Sequence, residues 1–197
     1  MEQREAMAEL SKAVANCTQC QLRQQCTQTV FGEGALDGGL MVIGEGPGQE
    51  EDQSGRPFVG RAGRLLDIVL DSGGFTRKAN AYIANIVKCR PPGNRAPLPE
   101  EREACLPFLL EQIQIIQPKI ILLLGATALQ GLIDPKSKIG ASRGQWIEWA
   151  GIQVLPTYHP AALLRNPRYK QVVWDDLKLV IDMYRRLVDP GHYSEYF

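Results

Sequence analysis

Histidine occurs only twice in this 197-residue chain, at His159 and His192, so imidazole chemistry is confined to two positions. Net charge is missing as well, because 22 basic side chains balance 22 acidic ones. A neutral total argues against a protein that holds polyanions through its overall charge, and leaves local basic faces as the way to bind phosphate. No apolar run reaches the ~18 residues that a membrane-spanning helix needs, which excludes a membrane partner of that kind. The opening MEQREAMAELSKAVANC lacks the apolar stretch of a secretory leader, and a cytoplasmic location is expected. In a reducing compartment the five cysteines read as metal ligands or buried thiols, not as a disulfide framework. Internal repeats, low-complexity tracts and linkers are absent, so residues 1–197 are expected to fold as a single domain. Neither a Walker loop nor a GxGxxG fingerprint occurs, and the acids around GEGPG would repel phosphate.

What the chain does have is apolar substance for a core, 44% of its residues, arranged in alternating patterns. Leu40–Ile43, Ala81–Val87, Lys119–Leu124 and Ile152–Pro156 read as strands, KIILLL as one buried on both faces. Helices are expected over residues 3–16, over 61–72, from Glu100 to Gln117 with a kink at Pro107, from Gly125, and in a long closing segment that carries Val172, Leu177, Ile181 and Leu187. Strands alternating with helices predict an α/β protein, a three-layer α/β/α fold around a central, mainly parallel four-stranded sheet.

Two segments make poor core material. GEGPGQEEDQSGRPFVGRAG, Gly44 to Gly63, packs six glycines and two prolines into twenty positions directly after a strand. That composition suits a loop whose backbone approaches a ligand closely. The carboxyl end of a strand in an open α/β sheet is where such sites lie. YHPAALLRNP, Tyr158 to Pro167, follows a late strand and is expected at the same edge. Between Pro135 and Lys170 six basic residues (Lys136, Lys138, Arg143, Arg165, Arg168, Lys170) face one acid, Glu148, and Lys88, Arg90 and Arg95 form another acid-free stretch. Both fit phosphate contacts or plain solvated surface. Cys17 and Cys20 form CxxC, while Cys89 and Cys105 lie downstream, separated by fifteen residues that include RPPGNRAPLP. Four thiolates from 17–20 and 89–105 would suit zinc or an iron–sulfur cluster, and spacing does not choose between them. Cys26 is the spare thiol, either buried or a bystander near the metal.

Taken together, CTQC, VFGEG, the Gly44–Gly63 loop, YIANIVKCRPPGNRAPLPEEREAC, LLLGATAL and YHPAALLRNP resemble the family 4 uracil-DNA glycosylases essentially end to end. The resemblance implies that Cys17, Cys20, Cys89 and Cys105 hold a 4Fe–4S cluster. The partner would be uracil-containing DNA, single- or double-stranded, and the protein a monomer. It implies a monofunctional base-excision hydrolase that flips uracil out and leaves an abasic site, since no lysine is placed as a Schiff-base nucleophile. Gly46 stands where the family usually has alanine, so a looser loop or larger pocket is expected there. The Arg- and His-bearing insertion of relatives that cross-link to uracil DNA is missing, so turnover is expected.

The resemblance, read with what the reaction needs, implies a role for each site residue. Asn85, at the end of the second strand, would donate to uracil O4 and accept from N3–H, a pattern that cytosine reverses, and Gly44 and Gly46 would also bind the substrate. Phe58 would stack on the flipped base. His159 would hydrogen-bond O2 as charge develops on the leaving group. Glu45 would position or deprotonate the attacking water. Leu163, Leu164 and Arg165 would wedge into the duplex. Glu50, Glu51 and Asp52 read as solvated or helix-capping acids, with Glu51 also a candidate to stand near uracil C5. The competing readings are a redox protein built on the cluster and a non-catalytic zinc-bearing nucleic-acid module. The first leaves Asn85 and His159 without a task, and only the glycosylase reading uses both loops and all four cysteines.

Overall fold

The computed structural model describes residues 2–196. In chain order the elements are α1 (Glu2–Ala15), α2 (Leu22–Gln25), β1 (Glu33–Gly34), β2 (Leu40–Gly44), α3 (Gln49–Ser54), α4 (Arg61–Ser72), β3 (Ala81–Asn85), α5 (Pro99–Ile116), β4 (Ile120–Leu124), α6 (Ala126–Leu132), α7 (Ile139–Ser142), β5 (Ile147–Trp149), β6 (Ile152–Thr157), α8 (Pro160–Arg165) and α9 (Tyr169–Leu187). They build one six-stranded sheet in the order β1-β3-β2-β4-β6-β5. The expected four strands form its centre and are mutually parallel. The expectation of four is corrected by two short antiparallel edges, β1 on β3 and β5 on β6. Strands of two and three residues carry too few side chains to show a period. The β5–β6 hairpin turns through Ala150 and Gly151, both at positive φ (51° and 78°), without the Asn-Gly or Asp-Gly pair that usually marks such a turn.

The central strands are buried throughout because helices cover both faces. Met41, Ile43, Tyr82, Ala84, Ile121 and Leu123 point to the layer of α1, α5 and α6, where Met7, Leu109, Ile113 and Leu129 meet them. The alternate residues Leu40, Val42, Ile83, Ile120 and Leu122 point to α4 and α9, against Leu66, Leu70, Leu177, Val180 and Ile181. This is the three-layer arrangement expected of alternating strands and helices. Helix α5 continues through Pro107 to Ile116. Among the described residues no helix is long and apolar enough to cross a membrane.

Chain order fixes where a crevice must open. From β2 the chain steps to β3 on one side, whereas β4 lies on the other side of β2 and leads on to β6. Such a reversal leaves the loops at the carboxyl ends of β2 and β4 diverging, and ligands of open α/β sheets bind there.

Candidate active site

Glu45 directly follows β2, and Thr127 sits in the first turn of α6 after β4. Across the crevice the Thr127 hydroxyl donates a hydrogen bond to Glu45 Oε2. One carboxylate oxygen is thereby oriented by the protein, and the carboxylate is held at the mouth of the switch point.

Beside it, Gly44 and Asn85 are register neighbours at the ends of β2 and β3. Asn85 is 1% exposed. Its Oδ1 is the buried side-chain polar atom among the described residues that has no hydrogen-bond partner. Leaving an acceptor in that condition costs about 1–3 kcal/mol, which a ligand N–H placed against it would recover. A Cβ on Gly44 would come within 2.4 Å of Phe58 Cζ and 2.6 Å of Asn85 Oδ1. Only glycine therefore lets the aromatic ring and the amide stand on either side of this backbone. Phe58 is 5% exposed, and its ring centroid lies 5.7 Å from that of His159, inclined by 33°.

His159 forms the N-cap of α8, with Nδ1 accepting the Ala161 N–H at 3.1 Å. An imidazole that accepts at Nδ1 carries its proton on Nε2, so the second nitrogen is a donor. Burial, seconded by the Arg165 charge and opposed weakly by Glu51, holds its pKa down to about 4. At neutral pH the ring is an uncharged Nε2–H donor. The other histidine is structural: His192 stacks on Phe75 at 4.5 Å and its Nε2 lies 2.8 Å from the Gly73 carbonyl.

The acids of the first loop divide between the expected helix-capping and solvated roles and one buried tie. Glu51 receives the Gly48 N–H on Oε2, capping α3, and the Val59 and Gly60 N–H groups on Oε1 at 2.9 and 2.8 Å. Both of its oxygens are thus used by the backbone of the loop. Asp52 is buried and accepts from the Thr27 N–H and hydroxyl, tying the cysteine-bearing segment to this loop. Glu50 alone is a surface acid, paired with Arg64 at 3.2 Å. Gly46 turns its missing side chain toward Val87 Cγ2, where a Cβ would stand at 2.7 Å, and Pro91. The space it leaves therefore faces the Val87–Pro91 segment and not Phe58 or Asn85.

The second loop divides. Leu163 is 2% exposed and lines an apolar cavity with Leu66, Leu124, Val173 and Leu177, which corrects its assignment to a wedge. Leu164, 42% exposed, and Arg165 face outward. Several basic residues are also accounted for internally. Arg143 pairs with buried Asp176, which also accepts from the Thr157 hydroxyl at 2.6 Å. Arg95 forks onto Glu101. Lys88 is fully buried, donating to the Asn85 carbonyl at 3.0 Å and to Gln112 Oε1 at 2.6 Å, and burial pushes its pKa down to about 8. Lys136, Lys138, Arg165, Arg168 and Lys170 stay exposed.

Cys17, Cys20, Cys89 and Cys105 line one cavity with Val14, Leu22, Val87 and Phe108. Burial, together with neighbouring thiols that include Cys20, Cys26 and Cys105, pushes the Cys89 thiol up. Cys105 Sγ accepts the Lys88 N–H at 3.3 Å and Cys17 Sγ the Gln19 N–H at 3.5 Å. Cys26 stands beside Cys89, bonded to Arg23 and outside the cavity lining. Among the described residues no three metal-binding side chains converge as ligands of a single ion. The four cysteines come from three segments of the chain, the α1–α2 turn, the stretch after β3, and α5.

Thr127 and Arg77, which donates to the Pro57 and Phe58 carbonyls, are the site-building residues that the sequence reading passed over. LLLGATAL contained the threonine, but nothing in it signals a contact with Glu45.

A family model described as the uracil DNA glycosylase superfamily matches residues 31–178. The chain is 49% identical over 178 residues to the type-4 uracil-DNA glycosylase of Thermotoga maritima, covering 88% of this chain and 92% of that one. It is 43% identical to the type-4 enzyme of Pyrobaculum aerophilum, with the same coverage, and 38% identical to that of Sulfurisphaera tokodaii over 98% of this chain and 90% of the relative.

Proposed function

The chain belongs to the uracil DNA glycosylase superfamily, and we propose from that membership and its site geometry that it hydrolyses the N-glycosidic bond of uracil in DNA. The observation that carries the reading is the buried, unpartnered Oδ1 of Asn85 beside Phe58 and His159. Inside duplex DNA the target bond is out of reach, so the nucleotide is flipped into the crevice at a cost of a few kcal/mol. Phe58 offers its ring to the base, and the Asn85 amide accepts from N3–H while donating to O4. Cytosine presents an acceptor and a donor in the opposite places and leaves both groups unpaired, at about 1–3 kcal/mol each.

As the C1′–N1 bond breaks, its electron pair leaves with the base and negative charge grows on O2. His159, neutral and protonated at Nε2, donates to that oxygen without first losing or gaining a proton. The sugar is left cationic. Glu45, steadied by Thr127, holds a water for attack at C1′ and takes up its proton. The products are free uracil and an abasic site, and no covalent enzyme intermediate forms. Lys88, the lysine nearest Asn85 along the chain, is committed to two internal hydrogen bonds and supplies no nucleophile. Leu164 and Arg165 are exposed on α8 and would fill the gap left by the flipped nucleotide.

The cysteine cradle suits a 4Fe–4S cluster held by Cys17, Cys20, Cys89 and Cys105, with backbone N–H donors already on two of the sulfurs. When bound, the cluster would supply a covalent staple between the α1–α2 turn, the segment after β3, and α5. The test is cleavage of an oligonucleotide carrying one uracil, against cytosine and thymine controls, with and without alkali. Strand scission only at uracil and only after alkali is expected. Scission without alkali, or activity on all three bases, would refute the monofunctional, uracil-selective mechanism.

A further inference from the structure

Arg77 has no part in the reaction as described, yet its side chain is only 15% exposed and its guanidinium is divided among four partners. It donates to Glu33 at 2.8 Å, to Asp67 at 2.9 Å, and to the main-chain carbonyls of Pro57 and Phe58. Glu33 is itself gripped by Arg56 through two hydrogen bonds. Burial raises the Glu33 pKa, and the hydrogen bonds from Arg56 and Arg77 outweigh it, so the carboxylate stays charged.

The carbonyls that Arg77 holds flank an unusual residue. Phe58 has φ of 53°, the left-handed region, where a bulky side chain costs about 1–2 kcal/mol. A residue keeps such a conformation only where its surroundings hold it. Here the peptides of residues 57–60 are gripped from two sides. A cation takes the carbonyls of Pro57 and Phe58, and the Glu51 anion takes the N–H groups of Val59 and Gly60. The first turn of α4 closes the third side, since a Cβ on Gly63 would lie 2.0 Å from the Phe58 carbonyl. The grip seats the Phe58 ring against Gly44, within reach of Asn85 Oδ1.

We propose that Arg77 is a positioning residue for base recognition: by holding the Pro57 and Phe58 carbonyls it keeps the Phe58 ring where the flipped uracil stacks. Glu33 and Asp67 aim the guanidinium, and a lysine ammonium, with one point of charge, cannot span the same set. This inference rests on the uracil-excision reading.

A double-mutant cycle under single-turnover conditions tests it, using wild type, Arg77→Met, Arg77→Lys, Phe58→Ala and Phe58→Ala combined with Arg77→Met. Loss of a base–aromatic stack lowers the rate by about tenfold or more, and Arg77→Met is expected to approach the same loss. The combined variant is expected to be no slower than Phe58→Ala alone, and inhibition by free uracil to weaken equally in all three. Arg77→Lys is expected to fall between wild type and Arg77→Met, and it carries the same test against Phe58→Ala if the methionine variant does not fold. Losses that multiply in the combined variant, or an unchanged Arg77→Met rate, would overturn the proposal while leaving the excision reading intact. An inert wild type would overturn both.

Discussion

Replacing His159 with serine separates two tasks that one imidazole performs. Nδ1 caps α8 by accepting the Ala161 N–H, and Nε2–H is the donor assigned to uracil O2. Serine is a good N-cap, so the helix should keep its cap and the stability should change by only a few tenths of a kcal/mol on that account. Its hydroxyl is too short to replace the far edge of the ring. Removal of one such donor costs roughly 10²–10³ in rate, about 2.7–4 kcal/mol. The assay is single-turnover excision at saturating enzyme, with binding to a non-hydrolysable uracil analogue measured in parallel. The expected result is a rate lower by about a hundredfold or more, with DNA binding nearly unchanged. Weakened binding at a normal rate would refute the donor role and make His159 a DNA contact. The titration of the ring gives an independent check. Its pKa in the folded protein is about 4 against 6.5 for an ordinary histidine, so between those values the unfolded chain binds more protons. Stability should therefore fall as the pH drops through that window, by about 3 kcal/mol at most from this residue. With only two histidines in the chain, the imidazole NMR signals can be assigned by comparison with the serine variant. A His159 signal that titrates near pH 6.5 would refute the buried, neutral ring.

Asn85→Asp should lower uracil excision by roughly ten- to a hundredfold, because one donor is lost and a ligand group is left unpaired; an unchanged uracil rate and base choice would remove Asn85 from recognition. Thr127→Val should cut the single-turnover rate about tenfold with little change in melting temperature, and Thr127→Ser should restore it by returning the hydroxyl to Glu45. Equal rates for all three proteins would show that Glu45 needs no orientation from α6. If Cys89 holds the proposed cluster, Cys89→Ala should lose iron, visible colour and much of the thermal stability. A colourless wild type prepared anaerobically and loaded with zinc would refute the cluster.

Some parts of the molecule were legible because each local pattern has one physical reading. Leu40–Ile43 and Ile120–Leu124 are continuous apolar runs that only a sheet covered on both faces can bury, and both are central strands. The glycine-rich segment from Gly44 onward was read as backbone that a ligand approaches closely, and in the fold Gly44 lies against the Phe58 ring and the Asn85 amide. In contrast, α3 was invisible: QEEDQS has no apolar period, and this helix exists because Glu51 caps it and ties it to the backbone of the same loop.

The chain by itself determined the α/β fold class and marked the two loops that the fold brings to the carboxyl ends of β2 and β6. Burial and partnership were decided only in three dimensions. Leu163 and Leu164 are adjacent and chemically identical, yet helix α8 turns one into the core and the other to solvent. Thr127 meets Glu45 across 82 positions and Arg77 meets Phe58 across 19, contacts that no local period encodes. Sequence patterns report what a segment must bury, whereas the partner of a polar side chain depends on which distant strand or loop the topology brings beside it.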